Sequence, residues 1–560
     1  MDFKAEIAKE LSKLSGKEIS EDILEMPPDS KLGDYAFPCF TLAKDMKKSP
    51  IEIAKDFAGK FRCKGVSEVK VVGPYINFFM KKDELSKVVL TKIFNEKQDY
   101  GKSDDGHTIL IESPSPNTNK PLHLGHVRNM LLGNTLTSLF RHLGYKSLRV
   151  DVVNDRGVHI CKSMLAYQKY GNNKQPDKKS DHFVGEYYVK YSQMEKENPA
   201  VSEEIQDMLR KWEDKDADVR TLWKTMNMWA RRGFDVTYKR YGVEMDKAYY
   251  ESDIYEQGRD MVLAAFKKGL FQKDDNGNLY LEDDDLGKKI VLRADGTTIY
   301  MTQDIALAKL RYDDYKMDKM VYVVGSEQLH HFKVLFKIFD LLGYKFAKDC
   351  YHLAYGMIYL PEGKMKSREG TVVDADNLAE DMHETAKKEL LSRYPDLSVE
   401  ELEKRSEEIG MGAIKFFILK YDPMKDFVFN PKDSISFEGE TGPYVQYTHA
   451  RCASILRKFD NEIKANIDFS KLQNDEDKAI ILHLETFSAI LEKSAEFYKP
   501  SLITRYLLDL CQLFNEYYHK YQILSEDKEL EHARVLLVYC VKEVLAVGLG
   551  LLGIAAPDVM

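Results

Sequence analysis

The residues best suited to chemistry lie in segment 113–126, which combines prolines, a lysine and two histidines. His123 and His126 are three residues apart, so on a helix both imidazoles project from one face. Lys120 precedes them, and Pro121 fits the first position of a helix. Because a first helical turn offers unpaired N–H groups and a positive dipole end, the segment predicts a polyphosphate site. Imidazoles there can donate hydrogen bonds to phosphate oxygens whose charge grows during displacement at phosphorus.

Two plainer interpretations of the histidine pair stay open at this point. Histidines at such spacing often cap a helix or pack against it, and a pair of them can also ligate zinc. Zinc ligation on a helix prefers a spacing of four residues and a third ligand, and neither is evident here. Gly125 leaves room for a flat group against the backbone, which favours a ligand site over packing.

The elements around this segment follow the βαβ pattern of a doubly wound parallel sheet. Residues 108–112 and 148–153 are predicted to be buried strands, and apolar residues recur at helical spacing between 122 and 143. Residues 320–342 restore a strand followed by a helix. Such sheets bind ligands at the carboxyl ends of their strands, which is where the histidine segment lies.

Three domains are predicted along the 560 residues. Residues 1–100 form an α+β domain, and residues 101–377 form the α/β core, with a polar helical insertion near 172–218. Residues 378–560 lack convincing strand alternation and are predicted to be an α-helical bundle. A hydrophobic fraction of 44% excludes disorder as the main state.

Charge and cysteine usage narrow the class of protein. The net charge of −9 does not exclude nucleic-acid binding, which needs only a local basic patch. The 7 cysteines are scattered and never form a C-x-x-C pair, which argues against disulfides and a zinc site, and no metal ligands are predicted. The start lacks a signal-peptide pattern, and no run of about 18 apolar residues occurs. A cytoplasmic protein without membrane contact is expected.

The histidine segment resembles the HIGH motif of class I aminoacyl-tRNA synthetases, with Leu124 in the isoleucine position. Its flanks, which include Ser115, Asn117 and Lys120, resemble those of arginyl-tRNA synthetases in particular. A signature similar to the KMSKS motif follows at 363–371, in a glycine-bounded loop after a predicted strand at 353–360.

The second signature departs from the family pattern. The usual second lysine falls on Ser367, flanked by Lys366 and Arg368, and Lys120 occupies the place of the lysine thought to compensate. The resemblance implies ATP as co-substrate, with Mg²⁺ accompanying it. The implied catalytic residues are His123, His126, Lys120 and Lys364. The implied ATP contacts are Gly125, Leu124, Lys366, Arg368 and Met357.

A guanidinium pocket needs carboxylates placed for bidentate contact and an aromatic or phenolic group. Tyr300 and Asp304 are four residues apart and share a helix face, although an ordinary surface contact would give the same spacing. The resemblance implies that these residues and Glu251 bind the guanidinium. It implies that Ser115, Asn117 and Gln328 hold the α-amino and carboxylate groups. Lysine and citrulline would leave polar groups of such a pocket unpaired, which can favour arginine over them by about 10⁴–10⁵. No editing domain is therefore expected.

RNA contacts are predicted in both terminal domains. Tyr444, Tyr447 and Arg451 recur at i, i+3, i+7 and can stack on bases, although a tyrosine stripe buried in a bundle is the alternative. The chain end resembles the family's anticodon-binding domain, where the terminal methionine, here Met560, helps form the base pocket. The first domain resembles the family's extra domain, which touches the outer corner of the tRNA. Its implied contacts are Asn77 and Phe79.

The resemblance implies a monomeric ligase that activates L-arginine with ATP and transfers it to the 3′ end of tRNA(Arg). Two other classes stay open. A small-molecule nucleotidylyltransferase also uses an H-x-G-H turn, but would be shorter and lack the helical domain. A non-catalytic RNA-binding paralogue would keep the terminal domains, yet has no reason to retain His123, Gly125, His126 and Lys364 together.

Overall fold

The first domain is an α+β unit with a three-stranded antiparallel sheet. In this computed structural model, residues 3–27, 30–359 and 373–560 are described. The elements are α1 (Phe3–Ser15), β1 (Tyr35–Pro38), α2 (Phe40–Met46), α3 (Pro50–Lys60), β2 (Val66–Val72), β3 (Tyr75–Met80) and α4 (Lys82–Glu96). Strand β3 is central, in the order β1-β3-β2, so both of its edges are hydrogen-bonded. Strands β2 and β3 form an antiparallel hairpin around the Gly73-Pro74 turn.

The core is the doubly wound parallel sheet that the sequence predicts. Its elements are β4 (Thr108–Glu112), α5 (Leu124–His142), β5 (Lys146–Val153), α6 (Val158–Tyr170), α7 (Ser180–Glu197), α8 (Val201–Glu213), α9 (Ala217–Tyr241), β6 (Lys247–Tyr250), α10 (Glu251–Lys267), β7 (Gln272–Lys273), β8 (Leu279–Asp283), β9 (Gly287–Leu292), α11 (Tyr300–Tyr315), β10 (Lys319–Gly325), α12 (Leu329–Leu341), β11 (Cys350–Tyr355) and β12 (Ile358–Tyr359). Five strands pair in the order β11-β10-β4-β5-β6, and all neighbours are parallel. Helices cover both faces, which explains the continuous apolar runs of β4 and β10.

Two features of the core differ from the sequence-based expectation. Strands β7, β8 and β9 form a separate antiparallel sheet that the sequence analysis did not identify, because these strands are short and largely exposed. The insertion is helical as predicted, but its last helix, α9, runs on to Tyr241, well beyond residue 218.

The last part of the chain is a helical bundle. Its elements are α13 (Ala375–Arg393), α14 (Val399–Leu419), β13 (Phe427–Val428), α15 (Pro431–Ser434), α16 (Gly442–Arg457), α17 (Asp475–Glu485), α18 (Phe487–Glu496), α19 (Ser501–Lys520) and α20 (Lys528–Leu551). The expectation of no strand is wrong at β13, which pairs in parallel with β12 of the core. The apolar helix α20 is buried within the bundle. Across the described ranges, every helix is too short or too polar to cross a bilayer.

Arg128 ties α5 to the chain where the core meets the bundle. Its buried guanidinium donates to the carbonyl oxygens of Gly356 at 2.5 Å, Pro423 at 2.9 Å and Lys425 at 2.8 Å. The face of the Phe427 ring lies 4.8 Å from the same group. A buried charge is costly unless it is hydrogen-bonded, so Arg128 must keep these carbonyl partners. It therefore fixes the start of α5 relative to the end of the sheet.

Candidate active site

The candidate site lies at the carboxyl edge of the parallel sheet, because strands that run the same way end at the same edge. The loop after β4 leads to the histidines at the start of α5. The ends of β5 and β6 supply Asn154, Asp155 and Glu251, and β10 is followed by Gln328. The first two turns of α11 carry Tyr300 and Asp304. Burial is the main cause that raises the pKa of Tyr300, and the nearby carboxylates of Glu251 and Asp304 add to it.

The histidine turn is held by backbone pairing to residues 373–375. Leu124 N donates to the Val373 carbonyl at 2.9 Å, and Ala375 N donates to the Leu122 carbonyl at 3.0 Å. His123 is the N-cap of α5, with extended backbone. The first turn of α5 is therefore fixed to the segment that begins α13.

Each imidazole accepts a backbone hydrogen bond at Nδ1. Gly125 N donates to His123 Nδ1 at 3.1 Å, and His123 N donates to His126 Nδ1 at 3.1 Å. An imidazole that accepts at Nδ1 carries its proton on Nε2 when neutral. The two rings, with centroids 3.9 Å apart, thus present two Nε2–H donors side by side.

Both histidines are uncharged at neutral pH. Burial is the main cause that lowers the pKa of His123 to about 4, and the Lys120 ammonium lowers it further. Burial and then the neighbouring His123 hold the pKa of His126 well below its usual range. Positive charge at this turn comes from Lys120, while the histidines act as neutral donors.

Three expectations at this turn need correction. The His123 side chain and the Val373 carbonyl already accept first-turn N–H groups, so the helix end itself is not an open anion site. A Cβ on Gly125 would come 3.0 Å from the His123 ring, so the space above this glycine holds the protein's own imidazole. Leu124 has an exposed fraction of 0%, so its side chain packs in the core and cannot contact a nucleotide.

A cavity of about 590 Å³ adjoins the histidine turn. Lys120 and His123 line one side of it, and Asp374 contributes at its end. The other side is lined by α7 residues His182, Glu186, Tyr188 and Val189 and by Lys178, two residues before this helix. The predicted residues Lys364, Lys366 and Arg368 lie outside the described residues.

The loop that carries Ser115 and Asn117 is anchored on β5 and the turn after it. Ser115 N donates to Asp151 Oδ1 at 2.7 Å, and Asn154 Nδ2 donates to the Ser115 carbonyl at 3.1 Å. Asn117 pairs with Asn154 through the backbone. Ser115 has a φ of 58°, which serine rarely adopts, so these contacts hold the loop in a specific conformation.

Asp155 connects this loop to the Glu251 carboxylate. Ser252 donates to Asp155 through N at 2.9 Å and through Oγ at 2.8 Å, which fixes the start of α10. Burial is the main cause that raises the pKa of Glu251 to about 7, and the carboxylates of Asp155 and Asp304 add to this. Arg156 and a hydrogen bond from Gln303 act in the opposite direction. Glu251 therefore titrates near neutral pH.

The structure brings Glu251, Tyr300 and Asp304 within electrostatic reach of one another. The Tyr300 side chain is 61% exposed and open to a ligand. Gln328 is exposed at the turn after β10. Met357 is half-buried, and its N–H donates to Asp426 Oδ1 at 2.6 Å.

Two residues at this pocket were missed by the sequence analysis. Gln303 Nε2 donates to Glu251 Oε1 at 2.8 Å. His331 Nε2 lies 2.6 Å from Asp304 Oδ2. The available signal was their spacing, since Gln303 adjoins Asp304 and His331 lies one helical turn beyond Gln328.

The predicted RNA residues of α16 form one half-buried group. The Arg451 guanidinium lies 4.9 Å from the Tyr447 ring and 5.1 Å from the ring of Tyr518, on α19. Asn515 of α19 donates to the Tyr444 hydroxyl at 3.0 Å and accepts a hydrogen bond from Arg451. The face formed by Tyr444, Tyr447 and Arg451 therefore packs partly against α19 and is partly exposed to solvent.

The remaining predicted RNA contacts are more buried than expected. Asn77 is 3% exposed, because Gly33 packs against its Cβ. Its side chain therefore does not face an outside partner. Phe79 is half-buried, with the Lys70 ammonium 4.4 Å from its ring centroid. Met560 is buried where the chain end lies along α16, with the Pro557 carbonyl 2.9 Å from His449 Nδ1.

Comparison with known families identifies all three parts of the chain. The model described as tRNA synthetases class I (R), catalytic domain, matches residues 89–431. The DALR anticodon binding domain matches residues 445–560, and the arginyl tRNA synthetase N terminal domain matches residues 1–80. The exact domain limits proposed from the sequence stay predictions.

Curated relatives and a solved structure agree with these matches. The chain is 43% identical to an arginine–tRNA ligase of Treponema denticola, over 96% of this chain and 94% of the relative. It is 41% identical to an arginine–tRNA ligase of Bacteroides thetaiotaomicron, over 99% of both chains. Thermus thermophilus arginyl-tRNA synthetase has a similar structure, with a TM-score of 0.86 at 27% identity, over 100% of this chain and 99% of that one. The chain belongs to the arginyl-tRNA synthetase family of class I aminoacyl-tRNA synthetases.

Proposed function

We infer that this chain ligates arginine to tRNA(Arg) in two steps. The carboxylate of arginine attacks the α-phosphorus of ATP in line, which forms arginyl-adenylate and releases pyrophosphate. A hydroxyl of the terminal tRNA ribose then attacks the acyl carbon, and AMP leaves. The observation that carries this conclusion is the pair of Nε2–H donors beside Lys120 at the carboxyl edge of the sheet, in a chain of this family.

In the first step the protein positions the reactants and stabilises charge, so no enzyme nucleophile is needed. We propose that His123 and His126 donate through Nε2 to phosphate oxygens of ATP as negative charge accumulates there. Because both rings are neutral, Lys120 supplies positive charge from the described part of the site. We propose Lys364 as the second cation, with Lys366 and Arg368 as weaker contacts, and the backbone of Met357 beside the nucleotide.

Arginine selection follows from the carboxylates of Glu251 and Asp304 with the Tyr300 phenol. A planar guanidinium has five donors that carboxylates can accept in pairs, whereas lysine cannot fill both positions. Citrulline would leave buried negative charge unpaired. Ser115, Asn117 and Gln328 are proposed to hold the α-amino and carboxylate groups of the substrate.

Magnesium is proposed to enter as the companion of ATP. Among the described residues, one group of three potential ligands lies close enough to hold an ion: Asp181, His182 and Asp376. The Lys179 ammonium lies 2.9 Å from Asp181 and 2.7 Å from Asp376, so a cation already occupies that place. We therefore assign no protein cage and treat Mg²⁺ as part of the nucleotide substrate.

The RNA is proposed to reach α16 through Tyr444, Tyr447 and Arg451, with Phe79 and Met560 as further candidates. Aromatic rings beside a guanidinium can stack on splayed bases. We propose that the chain acts as a monomer in the cytoplasm. Light scattering that gives 64.7 kDa in solution would support the monomer, and twice that mass would exclude it.

The test is exchange of labelled pyrophosphate into ATP, with arginine and tRNA(Arg) each present or omitted. In the resembled family, adenylate formation generally needs tRNA, so exchange is expected only with both. Exchange that ignores arginine would favour a nucleotidylyltransferase, and exchange that ignores tRNA would also count against the proposal. No exchange under any condition, together with tRNA binding, would indicate a non-catalytic paralogue.

A further inference from the structure

We propose that Gln303 and His331 are positioning residues for arginine specificity, each holding one oxygen of a pocket carboxylate so that the other oxygen faces the guanidinium. This inference rests on the proposed arginine site. It concerns two side chains that the sequence analysis did not single out. Neither of them needs to touch the substrate.

The two contacts follow the same pattern on the two carboxylates. Gln303 Nε2 donates to Glu251 Oε1 at 2.8 Å, and the His331 Nε2–H faces Asp304 Oδ2 at 2.6 Å. In each case the contact engages one carboxylate oxygen, which leaves Oε2 of Glu251 and Oδ1 of Asp304 for a ligand. A guanidinium binds carboxylates through a rigid planar fork, so the direction of each remaining oxygen matters.

The backbone supports both contacts. Gly258 of α10 lies so close to α11 that a Cβ would come 2.5 Å from the Thr302 carbonyl oxygen. This close approach places the start of α10 beside Gln303. The His331 ring lies edge-on to the Phe332 ring at 5.5 Å, and the Phe332 ring stacks on His352 at 4.2 Å. These aromatic contacts restrict the direction in which His331 can donate.

Preorganisation is the physical benefit. A short carboxylate side chain in a partly open pocket can rotate, and ordering such a group on binding weakens affinity. Because Gln303 and His331 hold different carboxylates, their effects are expected to be largely additive. Both act before any chemistry, so they should alter arginine binding and leave ATP binding unchanged.

The experiment measures arginine affinity calorimetrically, without ATP or tRNA, in the full-length protein. His331→Leu removes the donor, His331→Gln keeps an N–H donor, and Gln303→Leu removes the second donor. His330→Leu is the matched control, because His330 is exposed on the same helical turn. Thermal melting of each variant shows whether it is folded.

We expect His331→Leu and Gln303→Leu each to raise the Kd of arginine about threefold to tenfold, as expected for ordering one extra side chain. His331→Gln should restore most of the affinity, and His330→Leu should match the wild type. The KM of arginine should rise in aminoacylation while the KM of ATP stays constant, and preference for arginine over citrulline should fall.

Charging of tRNA(Arg) with arginine by the wild type distinguishes failure of the proposed function from failure of the positioning role. If the wild type does not charge arginine, the proposed function itself fails. If the wild type charges arginine but a folded His331→Leu variant binds it equally well or more tightly, the positioning role is overturned. A uniform rise in the KM of both arginine and ATP would likewise contradict it, because that pattern indicates general damage to the fold.

Discussion

Glu251 should make arginine binding depend on pH near neutrality. Burial is the main cause that raises the pKa of this carboxyl to about 7, and Asp155 and Asp304 add to it. A guanidinium favours the ionised carboxylate, so binding must lower that pKa and release a proton. The sign is therefore weaker binding as the pH falls through 7.

The size of the effect follows from the ionised fraction of Glu251. With a pKa of about 7, the carboxyl is roughly 90% ionised at pH 8 and roughly 10% ionised at pH 6. The affinity for arginine should accordingly fall about tenfold between pH 8 and pH 6, or about 1.4 kcal/mol. At pH 7, each arginine that binds should release about half a proton.

Calorimetric titration with arginine alone measures both quantities. Repeating the titration at pH 7 in buffers of different ionisation enthalpy gives the number of protons released, and omitting ATP removes the titration of phosphate. Glu251→Gln should bind more weakly at pH 8 and lose the proton release. His331→Gln should retain the release, which separates the carboxyl from the imidazole. A wild-type protein that binds arginine equally at pH 6 and pH 8 would refute the reasoning.

Three further variants test other parts of the structure. His126→Ala should lower the rate of pyrophosphate exchange about 10²- to 10³-fold, as for loss of a transition-state donor, while calorimetry shows unchanged arginine binding. An equal loss of exchange rate and arginine affinity would mean that His126 has a structural role. Arg128→Leu should lower the free energy of unfolding by about 3 kcal/mol or more, because several buried carbonyls lose their donor, and urea denaturation measures this. A change below about 1 kcal/mol would contradict the proposed connection. Arg451→Ala should raise the KM of tRNA about tenfold, because a contact with the bases is lost. Arginine affinity is the control and should not change. An unchanged KM of tRNA would mean that Arg451 only packs against Tyr447.

Much of the core could be predicted because parallel strands are short apolar runs bounded by polar turns. Strand β4 has the predicted limits, and the histidine turn follows its loop. Candidate ligand residues in such a sheet come directly after strands, so strand prediction also places Ser115 and Asn117. Strand β6 was not predicted, and Glu251 after it was implied only by the resemblance. Leu124 was implied as a nucleotide contact by its place in the histidine motif, although its side chain faces the core.

Other features depend on packing between distant segments. The His331–Asp304 contact joins residues that lie on different helices, and it exists only because α11 and α12 both pack near the end of β10. Asn77 alternates with Ile76 and Phe78 as an exposed strand residue would, but Gly33 lies against its side chain, so this face of the strand is covered too. A distant segment that packs on a strand is not visible in the period of that strand.

Because the pKa values of His123 and His126 are lowered, these two histidines do not supply the positive charge of the candidate site. A pair of protonated imidazoles with ring centroids 3.9 Å apart would repel each other, and their burial would add to that unfavourable energy. As neutral donors with Nδ1 satisfied by the backbone, they keep a fixed direction and need no change of protonation during the reaction. Lasting positive charge must then come from lysines, with Lys120 at the wall of the cavity. This division of roles suits a reaction in which negative charge moves from the carboxylate of arginine to departing pyrophosphate, because donors that keep a fixed direction are complementary to the charge that grows on the phosphate oxygens.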